Sequence, residues 1–188
     1  MKVSAILLAA GLSRRMGTDK LLLDYKGKTF LQHSIDLLSE LPVYERIVVT
    51  TDARLELVNM PPGIRPYINP KPESGQSGSI RIGVEVATGS HYIFLTADQP
   101  KLTPDDIASL LEAAVLKPDK IVYPKIKSKP TSPTIFPNSC RKKLLELTGD
   151  TGGREIRDKN PESCFAIEPE HIKNFVDIDS EEEYHELF

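Results

Sequence analysis

Four short apolar runs rich in β-branched residues recur along the chain, at Val3 to Leu8, Arg46 to Thr50, Tyr92 to Thr96 and Lys120 to Tyr123. Their lack of strict polar alternation predicts strands buried on both faces. Between them the period changes to that of a helix. Thr29 to Leu41 puts Leu31, Ile35 and Leu38 on one face, and Ser79 to Ala87 puts Ile80, Gly83, Val84 and Ala87 on another. Thr103-Pro104-Asp105-Asp106 supplies a cap residue, a proline at the first helical position and an acid at the third, ahead of Ile107, Leu110, Leu111 and Ala114. Ser180-x-x-Glu183 forms a second such box and predicts a last helix. Alternating strands and helices predict an α/β protein of three layers (αβα), a mostly parallel twisted sheet with helices on both faces. Its ligand sites should lie beyond the carboxyl ends of the strands.

Composition narrows the function classes. A chain of 188 residues that is 39% hydrophobic is expected to form one domain over 1–188 with one substantial core. Its net charge is −3 and its 24 basic residues are scattered, which argues against nucleic acid, whose footprint is a concentrated basic face. The two cysteines, Cys140 and Cys164, form no CxxC pair, so neither a thiolate metal site nor a disulfide framework is expected. The apolar start is too short for a membrane span and runs into a polar loop, so no targeting segment and no membrane partner is read and a cytoplasmic location is expected.

That polar loop carries the strongest chemical signal. The first strand empties into Ala9-Ala10-Gly11-Leu12-Ser13-Arg14-Arg15-Met16-Gly17-Thr18-Asp19-Lys20. Small residues let backbone N–H groups approach a polyanion, and the cations neutralise charge that the backbone dipoles only partly offset. The spacing is neither GxGxxG nor GxxxxGK[ST], which disfavours a Rossmann oxidoreductase and a Walker-type ATPase. On spacing alone, a tight strand-to-helix turn with solvated arginines remains an equal alternative.

The wider pattern resembles a known family. Leu8-Ala9-Ala10-Gly11-x-Ser13-x-Arg15-Met16-Gly17-x-x-Lys20 is similar to the signature loop of nucleotidyltransferases that share the molybdenum cofactor guanylyl- and cytidylyltransferase fold. Gly75-Gln76-Ser77-Gly78-Ser79-Ile80-Arg81-x-Gly83, Ala97-Asp98-Gln99-Pro100, Gly149-Asp150-x-Gly152-Gly153-Arg154 and Asp177-Ile178-Asp179-Ser180 follow in the order of the cytidylyltransferase branch. The resemblance spans nearly the whole chain and implies a Rossmann-like nucleotidyltransferase fold.

It also implies roles. Leu8, Ala9, Ala10, Gly11, Ser13, Arg15, Gly17 and Lys20 are expected at the nucleotide, with Arg15 on the departing pyrophosphate and Lys20 bridging its oxygens and the α-phosphate. Asp98 is expected as the main ligand of Mg²⁺, a hard ion that takes one or two carboxylates with phosphate oxygens and water. From the residues alone Asp98 reads more readily as a turn-former than as a metal ligand. Asp177 is expected as the second metal position, the alternative being a turn with Asp179 or Ser180 capping the helix. Gly75 and Ser79 are assigned to the base or ribose, although Ser77 is also a candidate N-cap. Asp150 and Arg154 are assigned to the acceptor, with Gly149 alternatively a helix C-terminal cap. Lys125, Lys127 and Lys129 alternate and are expected to share one strand face. The four histidines, His33, His91, His171 and His185, fall in no motif and are expected to pack or face solvent.

The expected reaction is Mg²⁺-dependent transfer of CMP from CTP to the phosphate of a molybdopterin-type cofactor, releasing pyrophosphate. An anionic phosphate nucleophile needs no general base, so positioning and charge neutralisation must supply catalysis. CTP over GTP rests on the resemblance at Ala10: the guanylyl branch resembles Leu-Ala-Gly-Gly there, and a β-carbon leaves less room where a purine would lie. The alternatives are GTP as donor, a sugar- or isoprenoid-phosphate acceptor, and, in another class, a non-catalytic nucleotide- or cofactor-binding chaperone. A molybdoenzyme or its chaperone is the expected protein partner.

Overall fold

A computed structural model of the chain describes residues 1–11 and 19–188. In chain order the described elements are β1 (Val3–Ala9), β2 (Asp24–Tyr25), β3 (Lys28–Thr29), α1 (Phe30–Glu40), β4 (Glu45–Thr50), α2 (Asp52–Leu55), β5 (Ile64–Ile68), α3 (Gln76–Val86) and β6 (His91–Thr96). They continue with α4 (Pro104–Leu116), β7 (Ile121–Ile126), β8 (Lys129–Pro130), β9 (Thr134–Pro137), α5 (Arg141–Leu145), α6 (Gly153–Asp158), β10 (Cys164–Ile167) and α7 (Glu181–His185).

The main sheet has the order β10-β7-β9-β6-β1-β4-β5, with β8 folded back on β7. β1 pairs in parallel with β4 and β6, and β4 with β5 and β10 with β7 are parallel too. β9 runs antiparallel between β6 and β7. β1 is buried along its whole length, as its apolar run predicts. Its residues alternate between two cores: Ala5, Leu7 and Ala9 meet Leu31, Ile35 and Leu38 of α1 and Ile107 and Leu110 of α4, while Ile6 and Leu8 meet Ile80 and Val84 of α3. Leu144 of α5 and Ile156 of α6 complete the second core. The three-layer α/β architecture is therefore present, with α1 and α4 on one face and α3, α5 and α6 on the other.

Both boxes form as predicted. Thr103 and Asp106 cap α4 reciprocally, and Ser180 and Glu183 cap α7. The sequence pattern does not reveal β5, which carries Pro66 and leaves Arg65, Pro66 and Ile68 exposed at the sheet edge where a missing N–H is tolerated. The helix expected from Ser79 begins at Gln76, with Gly75 rather than Ser77 as its N-cap. The lysines do not share a strand face. Lys125 is on β7, Lys129 is on β8, and Lys127 with Ser128 forms the turn between them at φ 47° and 70°. A hairpin reverses the chain, and the alternation of one continuous strand no longer applies.

A third, smaller cluster joins the β2–β3 hairpin to the C-terminal segment through Tyr25, Phe30 and Ile178, with Tyr184 packed against it. The Tyr184 hydroxyl donates to the Asp24 carbonyl at 2.7 Å. This brings residues 177–179 to the end of β6, where Ile178 N–H donates to the Asp98 carbonyl at 2.9 Å.

Candidate active site

Because β1 and β6 are parallel with Leu8 opposite Thr96, their carboxyl ends open on the same edge of the sheet. Leu8, Ala10 and Gly11 from one and Asp98 from the other line an open cleft of about 510 Å³. Lys20, which follows the first loop, and the aspartate at the end of β6 come within hydrogen-bond distance. Lys20 Nζ lies 2.8 Å from Asp98 Oδ2 and 2.7 Å from Asp179 Oδ1, and it donates to the Ile178 carbonyl at 3.3 Å. Burial pushes the Lys20 ammonium toward its neutral form, but the Asp98 and Asp179 carboxylates outweigh that and hold its pKa above the ordinary lysine value.

One ammonium does not satisfy this carboxylate group. Among the described residues the buried side-chain atoms without a hydrogen-bond partner are Asp98 Oδ1, Asp177 Oδ1 and Gln99 Oε1. Asp177 is pushed up to about 7 by burial first, then by the charges of Asp98 and Asp179, with Lys20 and Arg154 pulling the other way. Two orphaned carboxylate oxygens in a site of excess negative charge could hold a hard divalent cation, which takes carboxylates together with phosphate and water. Among the described residues no group of three or more His, Cys, Asp or Glu forms a complete metal cage. Asp98 and Asp177 are the residues of this corner that could hold such a cation. Gln99, next to Asp98 in the chain, donates from Nε2 to the Ser132 and Phe175 carbonyls at 3.2 Å each.

The opposite wall is built at the start of α3. Gly75 has φ 87° and ψ −175°, a conformation reserved for glycine, and a Cβ there would lie 2.5 Å from the Gly149 carbonyl oxygen. Ser77 holds the same carbonyl from its N–H at 3.4 Å and its hydroxyl at 2.7 Å. Ser77 therefore fastens the Gly149–Asp150 loop to α3. Gly149, at φ 62°, lies beyond the end of α5, whose C-cap is Glu146. Ser79 Oγ accepts from Asn69 Nδ2 at 3.0 Å, which leaves the Ser79 hydroxyl hydrogen to donate elsewhere.

Of the residues singled out in the sequence, Leu8, Ala10, Gly11, Lys20, Gly75, Ser79, Asp98 and Asp150 all line the cleft. Ala9 is fully buried, does not line the cleft, and accepts at its carbonyl from Arg54 and Thr50. Asp177 is not among the residues that line the cleft but is near enough to Asp98 for their charges to interact, as is the exposed Arg154 to Asp177. Ser13, Arg15 and Gly17 lie outside the described residues. Two participants were missed. Asp179 pairs with Lys20 while Ser180 caps α7, and the Asp-x-Asp spacing was the available signal. Asn69 reads as a turn residue before Pro70, and its packing on Ser79 has no sequence signature.

A model of the MobA-like NTP transferase domain matches residues 5–164. The chain belongs to the MobA-like NTP transferase domain family. It is accordingly a nucleotidyltransferase by family. A probable molybdenum cofactor guanylyltransferase of Rhodopirellula baltica is 36% identical over 62% of this chain, the match spanning 58% of that relative. The purine catabolism protein PucB of Bacillus subtilis is 31% identical over 95% of this chain and 92% of its own length. The molybdenum cofactor cytidylyltransferase of Escherichia coli is 25% identical over 97% of this chain and 93% of its own. In fold the chain is similar to the crystal structure of a homologue of Mycobacterium tuberculosis rv0371c from Mycobacterium sp. strain JC1, at a TM-score of 0.82 and 22% identity over 100% of this chain and 96% of that one. No helix among the described residues is long and apolar enough to cross a membrane.

Proposed function

We propose that the cleft binds a nucleoside triphosphate with Mg²⁺ and transfers the nucleoside monophosphate to the terminal phosphate of a molybdopterin-type cofactor, with CTP as the donor. The observation that carries this reading is the cation-binding corner itself: Lys20 between Asp98 and Asp179, beside the unpartnered oxygens of Asp98 and Asp177. Such a corner at the end of a small-residue loop suits a triphosphate and its metal. The family supports nucleotidyl transfer, and the relatives' names support the acceptor.

In the proposed reaction an acceptor phosphate oxygen forms a bond to the donor's α-phosphorus while the α–β bridging bond breaks and pyrophosphate leaves. The nucleophile is already anionic, so no residue has to remove a proton. Asp98 and Asp177 would hold Mg²⁺, which supplies charge neutralisation at the phosphates when bound. Lys20 would turn its charge from the carboxylates to the α-phosphate and the departing pyrophosphate. Ser79, oriented by Asn69, has a hydroxyl hydrogen for the base or ribose. Asp150, on the same wall, and Arg154 would face the acceptor.

The choice of CTP rests on Ala10, which lines the cleft and whose β-carbon would take space from a purine placed beside it. Guanylyl transfer is the second reading, favoured by the name of the Rhodopirellula relative. Pyrophosphate release measured with each of the four nucleotides, with and without the pterin cofactor, decides between them. Release that is fastest with CTP and dependent on the cofactor is expected. Release with GTP alone would replace the donor, and binding without release would indicate a carrier rather than a transferase.

A further inference from the structure

Arg54 lies outside the cleft and in no motif, yet it is 6% exposed and its guanidinium is almost fully engaged. It belongs to α2, the single turn that follows β4 beside β1. Nη1 donates to the Ala9 carbonyl at 2.7 Å, and Nη2 donates to the Gly11 carbonyl at 2.7 Å. Nε and Nη2 also grip Asp19 as a bidentate pair, at 2.7 Å to Oδ2 and 2.8 Å to Oδ1. Ala9 and Gly11 are where the chain enters the loop, and Asp19 is where it leaves. Asp19 in turn accepts from Leu21 N–H at 3.2 Å and caps the short 3₁₀ turn Lys20–Leu22. One planar cation therefore fixes both stems of the loop and the turn that aims Lys20 at Asp98.

We propose that Arg54 is a positioning residue for the donor's triphosphate, setting the span of the loop's stems and the station of Lys20 without touching the nucleotide. The inference rests on the reading of the cleft as a nucleoside triphosphate site. A guanidinium is required because a lysine ammonium supplies a point charge with no bidentate fork and cannot bridge two carbonyls and a carboxylate in one plane. Misplacing a charged group by about an ångström is enough to cost on the order of a hundredfold.

The test is equilibrium binding of CTP with Mg²⁺ by calorimetry, on the full chain and well below each variant's melting temperature. Wild type is compared with Arg54→Lys and with Asp19→Asn, which loosens the same clamp from its more exposed side. Each variant is expected to bind CTP about tenfold or more weakly, with KM for CTP raised alike and KM for the acceptor unchanged. The double variant should be little worse than either single one, because the two residues act as a unit. Folded variants that bind CTP within about twofold of wild type overturn the inference while leaving the nucleotide site intact. A wild-type protein that binds no nucleotide removes the reading of the cleft and the inference together. An acceptor KM that rises as much as that for CTP assigns Arg54 a general structural role and also overturns it.

Discussion

The two walls of the cleft are anchored differently. On the donor side, Ala10, Gly11 and Asp98 sit just beyond the ends of β1 and β6, central strands buried on both faces, and Lys20 pairs with Asp98. On the other side, Gly149 and Asp150 belong to the connection between two short helices, held to α3 mainly through the Gly149 carbonyl, and Arg154 is exposed. A group at the end of a core strand inherits the rigidity of the sheet, whereas a docked loop depends on a few local contacts. Donor geometry should therefore respond steeply and specifically to single substitutions, and acceptor geometry more gently.

The largest effect is expected at Asp98. Asp98→Asn removes charge from the corner that holds Lys20 and, in the proposed mechanism, the metal, and should lower kcat/KM by about a thousandfold or more in a pyrophosphate-release assay. That is about 4 kcal/mol of transition-state stabilisation. A variant within about tenfold of wild type would take the metal away from Asp98 and with it the contrast between the walls.

The next effect concerns stability. Burial and the charges of Asp98 and Asp179 raise the Asp177 carboxyl from 3.8 to about 7. A carboxyl raised on folding holds its proton more tightly in the folded chain, so it favours folding most below pH ~4 and loses that contribution as pH rises toward ~7. The upper bound is about 4 kcal/mol, reduced in practice by solvent reaching a group that is not fully enclosed. Metal-free wild type should therefore lose urea resistance between about pH 5 and 7.5 relative to Asp177→Asn, and Mg²⁺ should restore part of it above pH 7. Parallel curves for the two proteins would mean that Asp177 does not carry the unbalanced charge of this corner.

What could be read in the sequence follows the same division. Val3 to Leu8 and Tyr92 to Thr96 are apolar because helices cover both faces of the sheet there, so the strands and the side of the molecule where they end were legible. β5 was hidden because an edge strand exposes Arg65 and tolerates Pro66, and β9 because four residues among prolines look like a loop. Lys20 and Asp98 could be paired through the resemblance. Arg54 could not, because its partners are the carbonyls of Ala9 and Gly11, groups that every residue possesses.

Gly75, on the wall opposite β1 and β6, is where the donor-binding start of α3 meets the Gly149–Asp150 loop, and it gives the sharpest way to break the contrast. Gly75→Ala forces a side chain into a glycine-only conformation and against the Gly149 backbone, at a cost of about 1–3 kcal/mol. The loop has to shift, so KM for donor and acceptor should rise together, whereas substitution at Asp98 or Arg154 separates them. An increase confined to the donor would show that the Gly149–Asp150 loop is not part of the acceptor wall.

Arg154→Ala should be the mildest. The side chain is exposed and its influence on Asp177 is smaller than that of Asp98, Asp179 or Lys20. If it meets an acceptor phosphate, its loss removes one charge-assisted contact at a solvated position, about tenfold in the acceptor KM, with donor binding unchanged. A lysine there should recover part of the loss, since charge is kept and only the bidentate fork is gone. If Arg154→Ala instead weakens CTP as much as the acceptor, Arg154 acts through Asp177 on the metal corner, and the boundary between the walls must be redrawn to place α6 on the donor side.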